Sequence, residues 1–270
     1  MNDSRKQALV SARPNVLDRL SSRAGITQKD TQILTNFLEK FGYVNITSFR
    51  QLAWMTLHWK FCYRLWRFVR PLPTHVVHYE GRLPPASVIP AFSWRQPAAL
   101  HGFARSCVLL PINRSDYFRG PSRQNLRTRT SAATRLGYTT RPLLNNEIAG
   151  VVEAICLARG WHEFRQEIFL KVLSVEVEDA CGVATFDTEE VPCAFAIGTR
   201  AGDAFALKWA YGTTKGPSRW QCFSGLIEYC YAEGLRTIIE DPGVLIQPSL
   251  WVFQDELGFV DVNLKLQRRK

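Results

Sequence analysis

A chain of 270 residues, 46% of them hydrophobic and with a net charge of +10, can bury a substantial core and suits a polyanionic partner: nucleic acid, a phosphorylated cofactor or an anionic membrane surface. Seven cysteines without a CxxC pair argue against a disulfide framework and fit a reducing cytosol. The histidines have neither HExxH nor HxH spacing, so no metal site is expected, and no stretch of 18 uncharged apolar residues offers a membrane span.

The first 30 residues are polar, with Arg5, Lys6, Arg13 and Arg19 scattered rather than placed before an apolar run, so no signal peptide is expected. Thr27 can cap a helix that carries Ile33, Leu34, Phe37 and Leu38 on one face and stops at Gly42. Residues 49–70 form a second helical pattern, ended by Pro71 and Pro73. Its basic side holds Arg50, Lys60, Arg64, Arg67 and Arg70, and its apolar side Trp54, Leu57, Phe61, Leu65 and Phe68. Such a helix either packs its wide apolar face into a core or lies on an anionic surface. The second option makes Lys60, Arg64, Arg67 and Arg70 candidate contacts to nucleic acid or to the inner face of a membrane. Residues 71–112 are proline-rich, with apolar runs at Thr74–Val77 and Cys107–Ile112 that read as strands among loops.

Between Pro121, suited to a first helical turn, and Gly137, suited to a C-cap, runs an arginine-rich helix. Arg123 and Arg127 are one turn apart, and Arg119 and Arg129 add charge. Guanidinium forks match phosphate geometry, which makes these four candidate nucleic-acid or phosphate contacts; the alternative is a solvated helix balanced by acids elsewhere. Asn145 or Asn146 can cap the next helix, with Ile148, Val151, Val152 and Ile155 inward, and another helix is predicted from Phe164 to Val175. Gly182–Phe186 reads as a strand. A hairpin follows: Val191, Cys193, Phe195 and Ile197 alternate with Pro192, Ala194, Ala196 and Gly198, Ala201-Gly202-Asp203 turns, and Phe205, Leu207 and Trp209 continue the alternation.

The strand Ala204–Tyr211 then feeds the loop Gly212-Thr213-Thr214-Lys215-Gly216-Pro217-Ser218-Arg219 into a helix that starts near Arg219. Free backbone N–H groups and the helix dipole favour negative charge there. Gly212, Lys215, Gly216, Ser218 and Arg219 are therefore candidates to hold the phosphate of an acyl donor.

From Glu190 to Leu266 the order is strand, turn, strand, glycine loop, helix, strand, helix, strand. In that order four blocks resemble the GNAT superfamily, most closely its FemABX-like branch of N-acyltransferases. They are the arginine-rich helix Ser122–Gly137, the hairpin Val191–Gly212, the segment Lys215–Glu240, and Leu250–Phe259 with its closing Leu257-Gly258-Phe259. The resemblance covers residues 114–266 and divides the chain into a helical, proline-rich region, 1–112, and an acyltransferase domain, 113–270.

It implies an α/β (α+β) fold: a mixed central sheet flanked by helices, whose strands near Ala204 and Leu235 diverge at their C-terminal ends. It also implies direct acyl transfer from acyl-CoA to an amine, with oxyanion donors near Lys208–Tyr211. Glu240 and Asp241 would bind the amine or remove its proton; the alternative for both is a turn carboxylate. Two departures stand out. The family's acyl-CoA loop is replaced by Lys215-Gly216-Pro217-Ser218-Arg219, with a proline that lacks an N–H. The family's tyrosine acid is replaced by Trp251 and Phe253, with Tyr211 the nearest substitute. Two rival readings remain open: an aminoacyl-tRNA donor, and a non-catalytic domain that binds nucleic acid or a membrane surface.

Overall fold

The computed structural model describes residues 53, 56–60, 63, 67, 70–79, 104–160, 180–213, 216–240 and 248–268. The helices expected after Thr27 and from Phe164 to Val175 lie outside the described residues.

Eight strands form one mixed sheet: β1 (Thr74–Tyr79), β2 (Ala104–Leu109), β3 (Thr139–Pro142), β4 (Ala180–Phe186), β5 (Pro192–Ala201), β6 (Ala204–Gly212), β7 (Thr237–Ile239) and β8 (Phe259–Arg268). Their spatial order is β1-β8-β2-β7-β6-β5-β4-β3. The pairs β1–β8 and β6–β7 are parallel and the others antiparallel. The helices are α1 (Arg114–Tyr117), α2 (Gln124–Arg135), α3 (Asn145–Ala158), α4 (Ser218–Ala232) and α5 (Pro248–Leu257). This is the expected mixed sheet flanked by helices. The sheet also crosses the expected division at residues 112 and 113, because β2 sits between β7 and β8.

Helix α2 is entered through a 3-10 turn at Pro121–Arg123 and leaves through Gly137 at a φ of 79°, as the proline and glycine signals require. Helix α3 starts differently from its expected cap. Its N-cap is Leu144 rather than either asparagine, and Glu147 reaches back to accept the Leu144 N–H at 2.9 Å. Arg141 grips the same carboxylate at 2.7 and 2.9 Å, which with the Leu144 N–H holds the Glu147 pKa down to about 2.

The two faces of the sheet are covered by different helices. Helix α4 sets Phe223, Leu226 and Ile227 against Val183, Ala194, Ala196, Phe205 and Leu207. On the opposite face α3 sets Ile148, Val152 and Ile155 against Ala184, Phe195 and Ile197. Each such fully buried side chain stabilises the fold by about 1.5–3 kcal/mol through lost apolar surface.

Strand β6 serves both layers by breaking its alternation. Ile197 faces Trp209 and Gly198 faces Leu207, so Lys208 is the extra residue of a β-bulge. One inserted residue swaps the faces: Phe205 and Leu207 pack beneath α4, while Trp209 and Tyr211 join the α3 layer. The expected unbroken run Phe205, Leu207, Trp209 is corrected by this bulge. Gly198 makes room for it, since a Cβ there would lie 2.0 Å from the Ala206 carbonyl oxygen.

The parallel pair β6–β7 is short. Only Ala204, Phe205 and Ala206 pair with Thr237, Ile238 and Ile239, and β6 runs on to Gly212 after β7 has ended. Among the described residues the pairing of these two strands ends at Ala206.

Gly198→Ala is expected to lower stability by roughly 2–4 kcal/mol in urea unfolding, because backbone must shift to admit the methyl group. Gly150→Ala is the contrasting variant: a Cβ there meets nothing within 4 Å inside α3. It should gain about 0.5–1 kcal/mol from helix propensity.

Candidate active site

The end of β6 is tied down from both neighbouring elements. The Thr213 N–H and hydroxyl both donate to the Cys193 carbonyl, at 2.8 and 3.2 Å, which turns the chain off the sheet. Arg159, the C-cap of α3, donates to the Gly212 carbonyl at 2.7 Å and lays its guanidinium 5.8 Å from the centre of the Tyr211 ring. Tyr211 itself is half-buried, edge-on to Phe195.

Four residues on, α4 begins with Pro217 as N-cap and no side-chain cap. The Trp220 and Gln221 N–H groups bond back to the Pro217 carbonyl, at 3.0 and 3.1 Å. The first turn contains no acidic residue, so the positive end of the α4 dipole is not neutralised from within the helix. Ser218 is fully buried, and its hydroxyl has no hydrogen-bond partner among the described residues. Pro217 deprives this terminus of only its own N–H; those of Ser218 and Arg219 follow it in the first turn.

Arg219 packs its side chain against α5. Its guanidinium lies 4.1 Å from the centre of the Phe253 ring, and Phe253 is wedged in turn against Trp220 and Phe223. Burial lowers the Arg219 pKa, and the charge of Glu240 works in the opposite direction. The charge of Glu240, where β7 ends, thus acts on Arg219.

Glu240 is the first residue past β7. Its N–H donates to the Ser106 carbonyl of β2 at 2.9 Å. Its Oε2 accepts from Nε2 of Gln254 on α5, whose Oε1 accepts the Ser106 hydroxyl at 3.0 Å. Level with Ser106 on β8 is Asp261, a carboxyl that burial pushes up to about 6.

Among the expected site residues, the structure gathers Tyr211, Gly212, Gly216, Ser218, Arg219 and Glu240 around the end of β6 and the start of α4. Lys215 and Asp241 lie outside the described residues. The four arginines around α2 have other surroundings. Arg119 is exposed and pairs with Asp116 at 3.3 Å. Arg123 lies over the Tyr117 ring at 5.2 Å and fills the space in front of Gly258, where a Cβ would collide with it. Arg127 donates to the carbonyls of Phe118 and Gly120. Arg129 is exposed. Arg123 and Arg127 therefore brace the turn before α2 and the close of α5.

In the pattern at 49–70, Lys60, Arg67 and Arg70 are exposed, and Arg64 lies outside the described residues. Leu57 and Trp59 are also exposed, at 80% and 61%. No described helix is long and apolar enough to cross a membrane, and no metal-binding cluster of His, Cys, Asp or Glu occurs among the described residues.

Three members of this constellation escaped the sequence reading. Arg159, just before Gly160, had the signature of a basic helix end. Gln254 follows the apolar run Leu250–Phe253 and precedes Asp255 and Glu256, so it read as the start of a polar segment. Nothing in the sequence distinguished Ser106.

No protein-family model and no curated protein matches the sequence. Solved structures overlap it in part. A conserved protein of unknown function from Bacteroides thetaiotaomicron VPI-5482 superposes with a TM-score of 0.46 at 15% identity, over 60% of this chain and 57% of that one. L-PGS from Bacillus licheniformis does so at 0.43 and 13%, over 60% and 58%. FemX does so at 0.47 and 9%, over 61% and 60%. The chain spans less than two thirds of the length of each of these structures, and the likeness is one of fold alone.

Asp261 provides a test of the electrostatics beneath the site. Its folded-state pKa is raised from 3.8 to about 6, so the folded protein holds this proton more tightly than the unfolded chain. Its contribution to stability is present at low pH and is lost as pH rises through that window. Asp261→Asn should match wild type near pH 4 and exceed it by roughly 1–3 kcal/mol at about pH 8, in denaturant titrations at the two pH values.

Proposed function

We propose that this protein is an N-acyltransferase that moves an acyl group from a phosphorylated donor, acyl-CoA, directly to a primary amine. One observation carries the reading. Among the described residues β6 pairs with β7 only as far as Ala206, the N-terminus of α4 that follows β6 has no side-chain cap, and the charge of Glu240 at the end of β7 acts on Arg219 in that first turn.

In this reading the donor phosphates lie at the loop 212–219, against the first-turn N–H groups of α4, with Lys215, Ser218 and Arg219 alongside. The acyl carbonyl lies along β6 beyond Ala206, with oxyanion donors near Lys208–Tyr211. The carboxylate of Glu240 attracts the substrate as an ammonium and takes one proton from it. The neutral nitrogen then attacks the acyl carbon, the new C–N bond forms as the C–S bond breaks, and the surplus proton on the nitrogen passes by way of Tyr211 or water to the leaving thiolate. Asp241 would add negative charge at the amine entrance. No step requires a covalent enzyme intermediate or a metal ion.

The test pairs binding with turnover. Wild type should bind coenzyme A in calorimetry, and Lys215→Ala with Arg219→Ala should weaken it by about 2–4 kcal/mol. Glu240→Gln should keep that affinity and lower turnover of acetyl-CoA with a panel of primary amines by about 10²–10⁴-fold. A wild type that ignores coenzyme A but binds aminoacyl-tRNA, with affinity falling steeply in salt, would replace the donor. Binding to neither would end the reading.

A further inference from the structure

Gln254 is 1% exposed on α5, between the apolar Phe253 and the acidic Asp255. A buried amide is costly unless its donors and acceptor are all used, at about 1–3 kcal/mol for each group left unsatisfied. Here the amide is held at both ends, and its orientation follows from chemistry. An ionised carboxylate can only accept, so Gln254 must turn its NH2 toward Glu240. Its Oε1 is then left to accept, and the Ser106 hydroxyl donates to it at 3.0 Å.

We infer that Ser106 and Gln254 are positioning residues for Glu240, which makes strand β2 an integral part of the acyl-transfer site. The inference rests on the reading of Glu240 as the base that receives the amine proton. Strand β2 grips residue 240 twice, once through the Ser106 carbonyl on the Glu240 N–H and once through the hydroxyl by way of Gln254. A hydrogen bond donated to the charged form favours that form, so the relay keeps Glu240 ionised as well as aimed. Among the described residues, the charge of Arg219 from α4 also favours the carboxylate, Arg159 and Tyr211 act in turn on Arg219, and Asp261 of β8 lies in register with Ser106. A segment limited to residues 113–270 would lack β2, and with it both grips on Glu240.

The experiment needs no substrate for its first arm. The full-length protein is labelled with carbon-13 at glutamate side-chain carboxyls, and Glu240→Gln assigns the Glu240 signal. The titration midpoint of that signal should rise by about one pH unit in Gln254→Met, which keeps the bulk and removes the donor. It should rise further in Gln254→Glu, which adds a like charge. Ser106→Ala, which leaves the donor in place, should move it least. Circular dichroism confirms that each variant is folded. A purely packing role for Gln254 would not produce this order. Coincident midpoints, with Glu240→Gln inactive toward acetyl-CoA and amines, would overturn the relay and leave Glu240 as the base. Full turnover by Glu240→Gln would instead remove the base, and the positioning role would fall with it.

Discussion

A strand that packs against one helix along its first half and against another, on the opposite face, along its second cannot keep a single alternation. Strand β6 resolves this conflict with the extra residue Lys208, and the rest of the site depends on that solution. The bulge places Phe205 and Leu207 under α4 and delivers Trp209 and Tyr211 to the α3 side. It requires a backbone approach so close that Gly198 admits no side chain. Just before it, β7 stops pairing. Among the described residues β6 is paired with β5 as far as Gly212 but with β7 only as far as Ala206.

Described charges of both signs occur around the end of β6 and the start of α4. The α4 dipole, Arg159 and Arg219 make one side positive, and Glu240 makes the other negative. Arg219 is shared between them, stacked on Phe253 and drawn toward Glu240. Such an arrangement suits two substrates of opposite charge that meet, a phosphorylated donor and a cationic amine. A uniformly basic groove would suit a polyanion alone. The arginines of α2 that looked suited to nucleic acid are in part committed within the chain, with Arg123 against Tyr117 and Gly258 and Arg127 on backbone carbonyls.

Local signals carried much of the architecture. Gly137, the alternation of β5 and the buried positions of α3 could all be read from residue type and period, because each depends on neighbours within one element. The start of α4 near Arg219 could be read for the same reason. What could not be read depends on pairing across the sheet. The bulge at Lys208 is set by the register against Ile197 and Gly198, and periodicity along β6 alone points the other way. The place of β2 between β7 and β8 follows from a contact distant in sequence, so Ser106 gave no sign of lying beside Glu240. Arg123 and Arg127 were legible as a pair one turn apart, but the carbonyls and the ring that engage them come from the turn before α2 and from α1.

The central claim is that the edge of β6 beyond Ala206 and the first turn of α4 together receive an acyl donor. Amide chemical-shift mapping of the full-length, nitrogen-15-labelled protein during titration with coenzyme A tests it most directly. The account requires saturable shifts at Leu207–Gly212 and at Ser218–Trp220, with little change along α2. Shifts confined to α2, or none at any amide, would contradict it.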